Sequence, residues 1–191
     1  MTLRSLLIVL LCATLPPWLL AGFADWFCHR RSKIESTAGP RESALHLLLY
    51  LLIALPLALA VFLQMTASLM VFMAACVLAH MAVSLWDTSF AQPRRHISPL
   101  EQQIHSYLEM LPLFALALAC VLHWDAVVHP SWNWSLREQP LPSAWRWGVV
   151  LALLPGLLLI VEELLRCCTR TVRAAQLSGS PRPSVEPPED E

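Results

Sequence analysis

The sequence predicts an all-α integral membrane protein with five transmembrane helices. Of its 191 residues, 57% are apolar and only 14% are charged, and the mean hydropathy is +0.56. Five apolar segments are each about 20 residues long, which is the length of a helix that crosses the hydrocarbon core of a bilayer. The six cysteines form no CxxC pair, so the sequence does not indicate a zinc finger or a redox dithiol.

The predicted spans cover residues 3–24, 43–63, 66–86, 104–123 and 145–165. The first could instead be a cleaved signal peptide, with Gly22 and Ala24 as a weak small-residue cleavage site, but Arg4 is its only early cation. The second and third spans are separated by a turn that is long enough only for a tight helical hairpin. A Trp-rich connection, 124–144, precedes the fifth span.

The chain divides into a membrane domain, residues 1–172, and a C-terminal tail, residues 173–191. The tail is rich in proline and acidic residues. Such a composition cannot bury enough apolar surface to offset the entropy of ordering. We therefore expect the tail to be disordered and the metal site described below to belong to the membrane domain.

The distribution of cations predicts the orientation. Ten of the 13 Lys and Arg residues fall in the loops 25–42 and 87–103 or after the fifth span, and three fall on the other side. Cytoplasmic loops are enriched in Lys and Arg. We therefore expect an outside N-terminus and a cytoplasmic C-terminus, in a membrane of the bacterial inner-membrane type.

One eight-residue pattern occurs twice, at 39–46 and 98–105. Each copy has a small residue, then proline, then glutamate at the third helical position and histidine at the seventh. Proline suits the first position of a helix, and the four-residue spacing places glutamate and histidine on one helical face. The duplication predicts that span pairs 1–2 and 3–4 form a parallel pseudo-repeat.

Acids and histidines collect at the ends of the first four spans on the predicted cytoplasmic side. Asp25 and His29 repeat the acid-x-x-x-His spacing at the end of the first span, and His80 and Asp87 lie near the end of the third. We predict that ligands from four spans converge on one metal centre at the membrane edge. The predicted ligands are Asp25, His29, Glu42, His46, His80, Asp87, Glu101 and His105.

The ligand types favour two metal ions. Imidazole and carboxylate together suit iron, manganese or zinc, and we expect two iron ions, with zinc or manganese as alternatives. The set resembles the ligands of di-iron carboxylate helical bundles, which project Glu and His inward from several helices. Those bundles use Glu-x-x-His whereas this chain has Glu-x-x-x-His, so the resemblance covers the ligand types and assigns no family.

Two further residues are candidates for catalysis. Glu109 lies two turns beyond Glu101 in an otherwise apolar span, where an unpaired carboxylate would cost several kcal/mol. It should bind metal, pair with a cation or share a proton. Tyr50 extends the face of Glu42 and His46 by one turn, and could hydrogen-bond a ligand or simply be a buried aromatic residue.

Structural explanations compete with this interpretation. Glu101 and Glu42 stand where acids cap a helix and favour its dipole, although capping does not explain the histidines. His123 and His129 are on the opposite side and serve as controls. The sequence does not decide the roles of Glu35, His96, Glu162 and Glu163.

Three classes of function fit the pattern. The first is a di-iron oxidoreductase of the hydroxylase, desaturase or oxidase kind, acting on a lipid or another hydrophobic small molecule and supplied by an electron donor. The second is a zinc-dependent hydrolase of lipid amides or esters. The third is a non-enzymatic metal-handling or assembly subunit of a membrane complex. A five-helix scaffold without metal is the remaining alternative. We expect no nucleic-acid partner, because a basic stripe is missing.

Overall fold

The computed structural model describes residues 2–178. Five of its helices are long and apolar enough to cross a membrane, which confirms the predicted fold class. Within the described range there is no β-strand, only an isolated antiparallel bridge between Leu63 and Leu136. The helices are α1 (Leu3–Arg31), α2 (Pro40–Phe62), α3 (Ala67–Ala91), α4 (Pro99–Leu122), the short α5 (Trp124–Val128) and α6 (Ser143–Ser178), with a 3₁₀ turn at Ile34–Ser36.

Both copies of the duplicated pattern begin a helix as predicted. Pro40 and Pro99 occupy the first turn of α2 and α4. Ser98 caps α4, since its side chain accepts a hydrogen bond from the backbone N–H of Glu101 at 3.2 Å. Gly39 precedes α2 with φ of 72°, a left-handed conformation that glycine adopts without a Cβ penalty. The pseudo-repeat of span pairs stays a prediction.

The helices extend beyond the apolar segments that predicted them. α1 continues past residue 24 to Arg31 and α3 past residue 86 to Ala91, while α4 starts at Pro99, before the apolar span at 104–123, as the duplicated pattern predicted. Polar residues expected in loops are therefore held on helices. α6 continues to Ser178, so residues 173–178 are helical and not part of a disordered tail. The rest of that predicted tail, 179–191, lies outside the described residues.

The five long helices form a closed ring in the order α1, α4, α3, α2, α6. α1 packs against α4 and α6, while α2 packs against α3 and α6, and α3 also contacts α4. The connection between α5 and α6 is anchored on the α2–α3 turn, where the Thr66 hydroxyl donates to the Asn133 carbonyl at 2.9 Å. The ring places the ends of α1 and α3 beside the starts of α2 and α4.

The distribution of polarity is inverted relative to a water-soluble protein. Leu20, Leu78, Leu85 and Leu158 are 66–70% exposed on the outer faces of the helices, whereas Glu42 is fully buried. Exposed apolar surface on this scale marks contact with a membrane or a partner. Together with the helix lengths, it shows an integral membrane protein.

An aromatic stack forms the apolar core of the ring. Trp18 and Tyr50 stack with ring centroids 5.6 Å apart, among buried residues that include Ile53, Val77 and Leu153. Gly156 allows α6 to approach this stack, because a Cβ there would lie 2.9 Å from Cε2 of Tyr50.

Candidate metal centre

Five carboxylates and three imidazoles converge at the end of the ring where α1 and α3 finish and α2 and α4 begin. All five long helices contribute to this group, which we call the carboxylate–imidazole cluster. Seven of its eight members are buried and His105 is partly buried. The members are Asp25 and His29 on α1, Glu42 and His46 on α2, Asp87 on α3, Glu101 and His105 on α4, and Glu163 on α6.

One half of the cluster surrounds His29. The Nε2 atom of His29 lies 3.5 Å from Asp25 Oδ1 and 3.5 Å from Glu101 Oε1. Asp25 Oδ1 also lies 3.3 Å from the Nε2 atom of His105. The acid-x-x-x-His pair of α1 and the Glu-x-x-x-His pair of α4 therefore face each other.

The other half surrounds His46. The Nε2 atom of His46 lies 3.3 Å from Asp87 Oδ2 and 3.9 Å from Glu42 Oε1. Here the Glu-x-x-x-His pair of α2 meets the terminal acid of α3. The sequence predicted that these residues converge, and their placement agrees with that expectation.

The two halves adjoin through a pair of stacked histidines. The rings of His29 and His46 are nearly parallel, at 10°, with centroids 4.2 Å apart. Two protonated rings at this distance would repel by about 4 kcal/mol at an effective dielectric constant of about 20. The carboxylates of Glu163, Asp25 and Asp87 beside the two rings offset a repulsion of this kind, whereas neutral imidazoles would each offer a lone pair on one nitrogen.

Glu163 contacts both stacked rings. Its Oε2 lies 3.0 Å from Nδ1 of His29 and its Oε1 lies 2.8 Å from Nδ1 of His46. The sequence left this residue undecided between the site and a pairing with Arg166. Its only signal was an acid inside an apolar span, which Glu162 shares, and the rotation of α6 decides which of the two neighbours faces inward.

Several buried polar atoms of the cluster remain without a hydrogen bond in the described part of the chain. They include Nε2 of His29, Nε2 of His46, Asp25 Oδ1, Asp87 Oδ1 and Glu42 Oε2. Buried polar atoms are nearly always hydrogen-bonded, and exceptions call for an explanation such as an ion. Two groups, Asp25–His29–His105 and His29–Glu42–His46, each offer ligand atoms that all lie within 4.8 Å of one another. Two ligands that each lie about 2.1 Å from one zinc ion are at most about 4.2 Å apart. The atoms of both groups are therefore close to the spacing that one ion requires.

Arg95 is the one guanidinium inside this part of the described structure. Its Nη2 lies 2.5 Å from Glu42 Oε1 and 2.6 Å from Glu101 Oε1. Burial by itself would lower the pKa of Arg95, but the adjacent carboxylates of Glu101 and Glu42 outweigh that effect and the pKa is raised. With neutral imidazoles, five carboxylates and Arg95 leave a net charge of −4, which two divalent cations would balance.

Glu35 and Glu162 belong to ion pairs at the edge of the cluster. Arg166 pairs with Glu35 and lies 3.3 Å from Glu162. Glu162 also accepts hydrogen bonds from Arg30 at 2.9 Å and from the indole N–H of Trp26 at 3.1 Å. These contacts favour the ordinary ion-pair role for both acids. His96, the fourth undecided residue, is exposed.

Three predicted site residues lie outside these contacts. His80 is buried, but its Nδ1 donates to the Leu49 carbonyl at 3.0 Å. Glu109 accepts a hydrogen bond from the Ser84 hydroxyl at 2.5 Å. The Tyr50 hydroxyl donates to the Leu153 carbonyl within the apolar core. The structure therefore does not bring Tyr50 to the ligands, because the stack with Trp18 and the bond to α6 hold it elsewhere.

Comparison with family models, with curated proteins and with solved structures finds no match to this chain. The chemistry of the site therefore has to be argued from its residues. Imidazole nitrogens and carboxylate oxygens in a buried, negatively charged cluster can hold divalent transition-metal ions.

Proposed function

We propose that this chain is an integral membrane metalloenzyme, a two-metal, iron-dependent oxidoreductase that acts on a hydrophobic substrate. The observation that carries the proposal is the set of buried Nε2 and carboxylate oxygen atoms that make no hydrogen bond. Leaving such atoms unpaired costs about 1–3 kcal/mol each. Metal coordination would compensate all of them at once.

Each half of the cluster supplies the ligands for one ion. Asp25, His29 and His105, with Glu101 beside them, would hold the first ion. His46, Glu42 and Asp87 would hold the second. The excess of carboxylate over imidazole favours iron or manganese, since harder oxygen ligands suit those ions.

The charge of the cluster supports two ions rather than one. Five buried carboxylates against Arg95 leave an excess of four negative charges when the imidazoles are neutral. Burying uncompensated charge is expensive. With neutral imidazoles, two divalent ions would balance this charge, whereas one ion would leave two negative charges to be balanced by protonation of the imidazoles.

The surroundings of the cluster favour a hydrophobic substrate. Phe27, Leu85, Trp86 and Tyr107 are close neighbours of the ligands along the chain and are 51–70% exposed on the outer faces of their helices. A lipid or another membrane-dissolved compound could approach the cluster along this apolar surface. When bound, iron would supply one-electron redox chemistry. The chain's own residues hold the ions, exclude water and keep the site within reach of the membrane phase.

Oxidation of such a substrate needs a source of electrons. The segments that bear Arg30, Arg94 and Arg166 meet at the same end of the ring as the cluster. By the excess of cations, we place this end in the cytoplasm, where a soluble electron donor could reach it.

Reporter fusions test this orientation. A fluorescent protein fused to the C-terminus should fluoresce, whereas an alkaline phosphatase fused there should be inactive. The reverse result would contradict the orientation.

Elemental analysis of the detergent-purified protein tests the metal proposal. We expect two iron ions per chain after purification or after anaerobic loading with Fe²⁺, and a Mössbauer spectrum of a spin-coupled pair. The reduced, iron-loaded protein should then consume O₂. The matched control is His129→Ala, which removes an exposed histidine at the opposite end and should change none of these results.

The alternatives give different outcomes. Zinc without iron would favour the lipid amide or ester hydrolase, in which metal-bound water is activated. Two retained iron ions without O₂ consumption would favour a metal-handling or assembly subunit. A protein that retains no metal after loading would be a scaffold, and the proposal would be wrong.

A further inference from the structure

A single carboxylate on α6 connects the two halves of the cluster. Glu163 is 1% exposed and uses both of its oxygens, one on Nδ1 of His29 at 3.0 Å and one on Nδ1 of His46 at 2.8 Å. Asp25 also faces two histidines, but through a single oxygen, which lies 3.5 Å from Nε2 of His29 and 3.3 Å from Nε2 of His105.

Because the Glu163 carboxylate is the hydrogen-bond acceptor, it determines which nitrogen of each imidazole carries the proton. An ionised carboxylate can only accept hydrogen bonds, so Nδ1 of His29 and Nδ1 of His46 must both be donors. A neutral imidazole with a proton on Nδ1 has its lone pair on Nε2. The Nε2 atoms are the ones that lie near Asp25 and Glu101 in one half, and near Asp87 in the other.

We propose that Glu163 is a positioning residue that fixes His29 and His46 in the same tautomer, so that both Nε2 lone pairs are available to the two metal ions. This inference rests on the two-metal site proposed above. Metal-binding histidines commonly donate their second N–H to a carboxylate, which fixes the ring and strengthens the ligand. Here the single carboxylate of Glu163 would orient one histidine ligand of each ion.

Glu162 provides a matched comparison on the same helix. It is adjacent to Glu163, but its partners are Arg30, Arg166 and Trp26 rather than histidines. Its side chain is 40% exposed, against 2% for Glu163. A substitution at Glu162 changes the charge of α6 by the same amount without touching either imidazole.

The substitution Glu163→Gln tests the proposal because it preserves the shape of the side chain, replaces one acceptor oxygen by a donor NH₂ group and removes one charge, as Glu162→Gln also does. The amide oxygen can still accept from one Nδ1–H, but the NH₂ group must donate to the other Nδ1. The second ring then has its proton on Nε2 and cannot bind metal there. We expect the metal content to fall from two ions to one per chain, with loss of the spin-coupled Mössbauer signal. Glu162→Gln should retain two ions and the signal.

A measurement on the wild-type chain makes the test independent of how well the variant folds. In Zn²⁺-loaded protein labelled with ¹⁵N-histidine, NMR should show the proton on Nδ1 and the metal on Nε2 for both His29 and His46. Single His→Ala variants assign the signals among the seven histidines of the chain.

Two results would overturn the positioning role. One is a proton on Nε2, or metal on Nδ1, in either ring of the wild type. The other is a folded Glu163→Gln variant that retains two ions and an unchanged spectrum. A wild-type chain that binds neither Fe²⁺ nor Zn²⁺ would instead contradict the proposed function itself, so the two failures are distinguishable.

Discussion

Two aspartate–histidine pairs with the same spacing lie at opposite ends of this molecule. Asp25 and His29 lie in the last two turns of α1, whereas Asp125 lies in α5 and His129 directly follows it. Their closest N–O distances are similar, 3.5 Å and 4.0 Å. The side chains of the second pair are 94% and 76% exposed, whereas those of the first are 11% and 1% exposed.

The difference shows that four-residue spacing brings an acid and a histidine together but does not by itself create a buried binding site. Spacing places an acid and a histidine on one helical face wherever the helix lies. An exposed pair is solvated and contributes little. At the end of α1, residues from α2, α4 and α6 surround the pair and exclude water, so its charges need partners and its atoms could serve as metal ligands.

The largest expected effect comes from removing one histidine in each half of the cluster. The double substitution His29→Ala with His46→Ala should abolish binding of both ions, because it deletes the two Nε2 atoms that lie between the carboxylates. His129→Ala should retain both ions. Elemental analysis, together with gel filtration to verify folding, measures the difference. Two retained ions in the double variant would show that neither His29 nor His46 is needed to bind metal.

Single substitutions test which histidine belongs to which ion. His46→Ala and His105→Ala should each lower the metal content from two ions to one, since each removes a ligand of a different ion. His123→Ala, at the opposite end of α4, should lower it by none. Equal loss in all three variants, or in none, would contradict the assignment of the ligands.

A smaller effect, on stability rather than on metal content, is expected in the apolar core. Gly156→Ala would place a Cβ 2.9 Å from the buried ring of Tyr50, which the stack with Trp18 prevents from moving. Overpacking of this kind costs about 1–3 kcal/mol.

The matched control for this substitution is Gly148→Ala, because nothing lies within 4 Å of the added Cβ and alanine is the better helix former by about 1 kcal/mol. Thermal unfolding in detergent should therefore show a lower Tm for Gly156→Ala only, and both variants should retain two metal ions. A Tm for Gly156→Ala at or above that of Gly148→Ala would show that the core tolerates the clash.

Much of the candidate site could be anticipated because its residues lie near helix ends. Pro40 and Pro99 mark where α2 and α4 begin, so the positions of Glu42, His46, Glu101 and His105 along their helices followed from local rules. That acids and histidines gather at one end followed from the alternation of spans across a bilayer. Neither argument needed contacts between helices.

The remaining assignments required knowledge of how the helices pack. Glu162 and Glu163 are adjacent glutamates in the same predicted span, and their side chains point in directions about 100° apart around the axis of α6. Only the packing of α6 against α1 and α2 turns Glu163 towards the histidines and Glu162 towards Arg30 and Arg166. Arg95 likewise lies in a loop, where no periodicity predicts burial.

The sequence by itself determined the five spans, the two helix starts and the concentration of ligand types at one end, because these depend on hydropathy, capping and the thickness of a bilayer. The tertiary structure decided that Glu163 joins the site, that Arg95 lies between Glu42 and Glu101, and that Tyr50 belongs to the core. The physical reason is that a side chain's partners depend on the rotation and neighbours of its helix, which arise only when the ring closes.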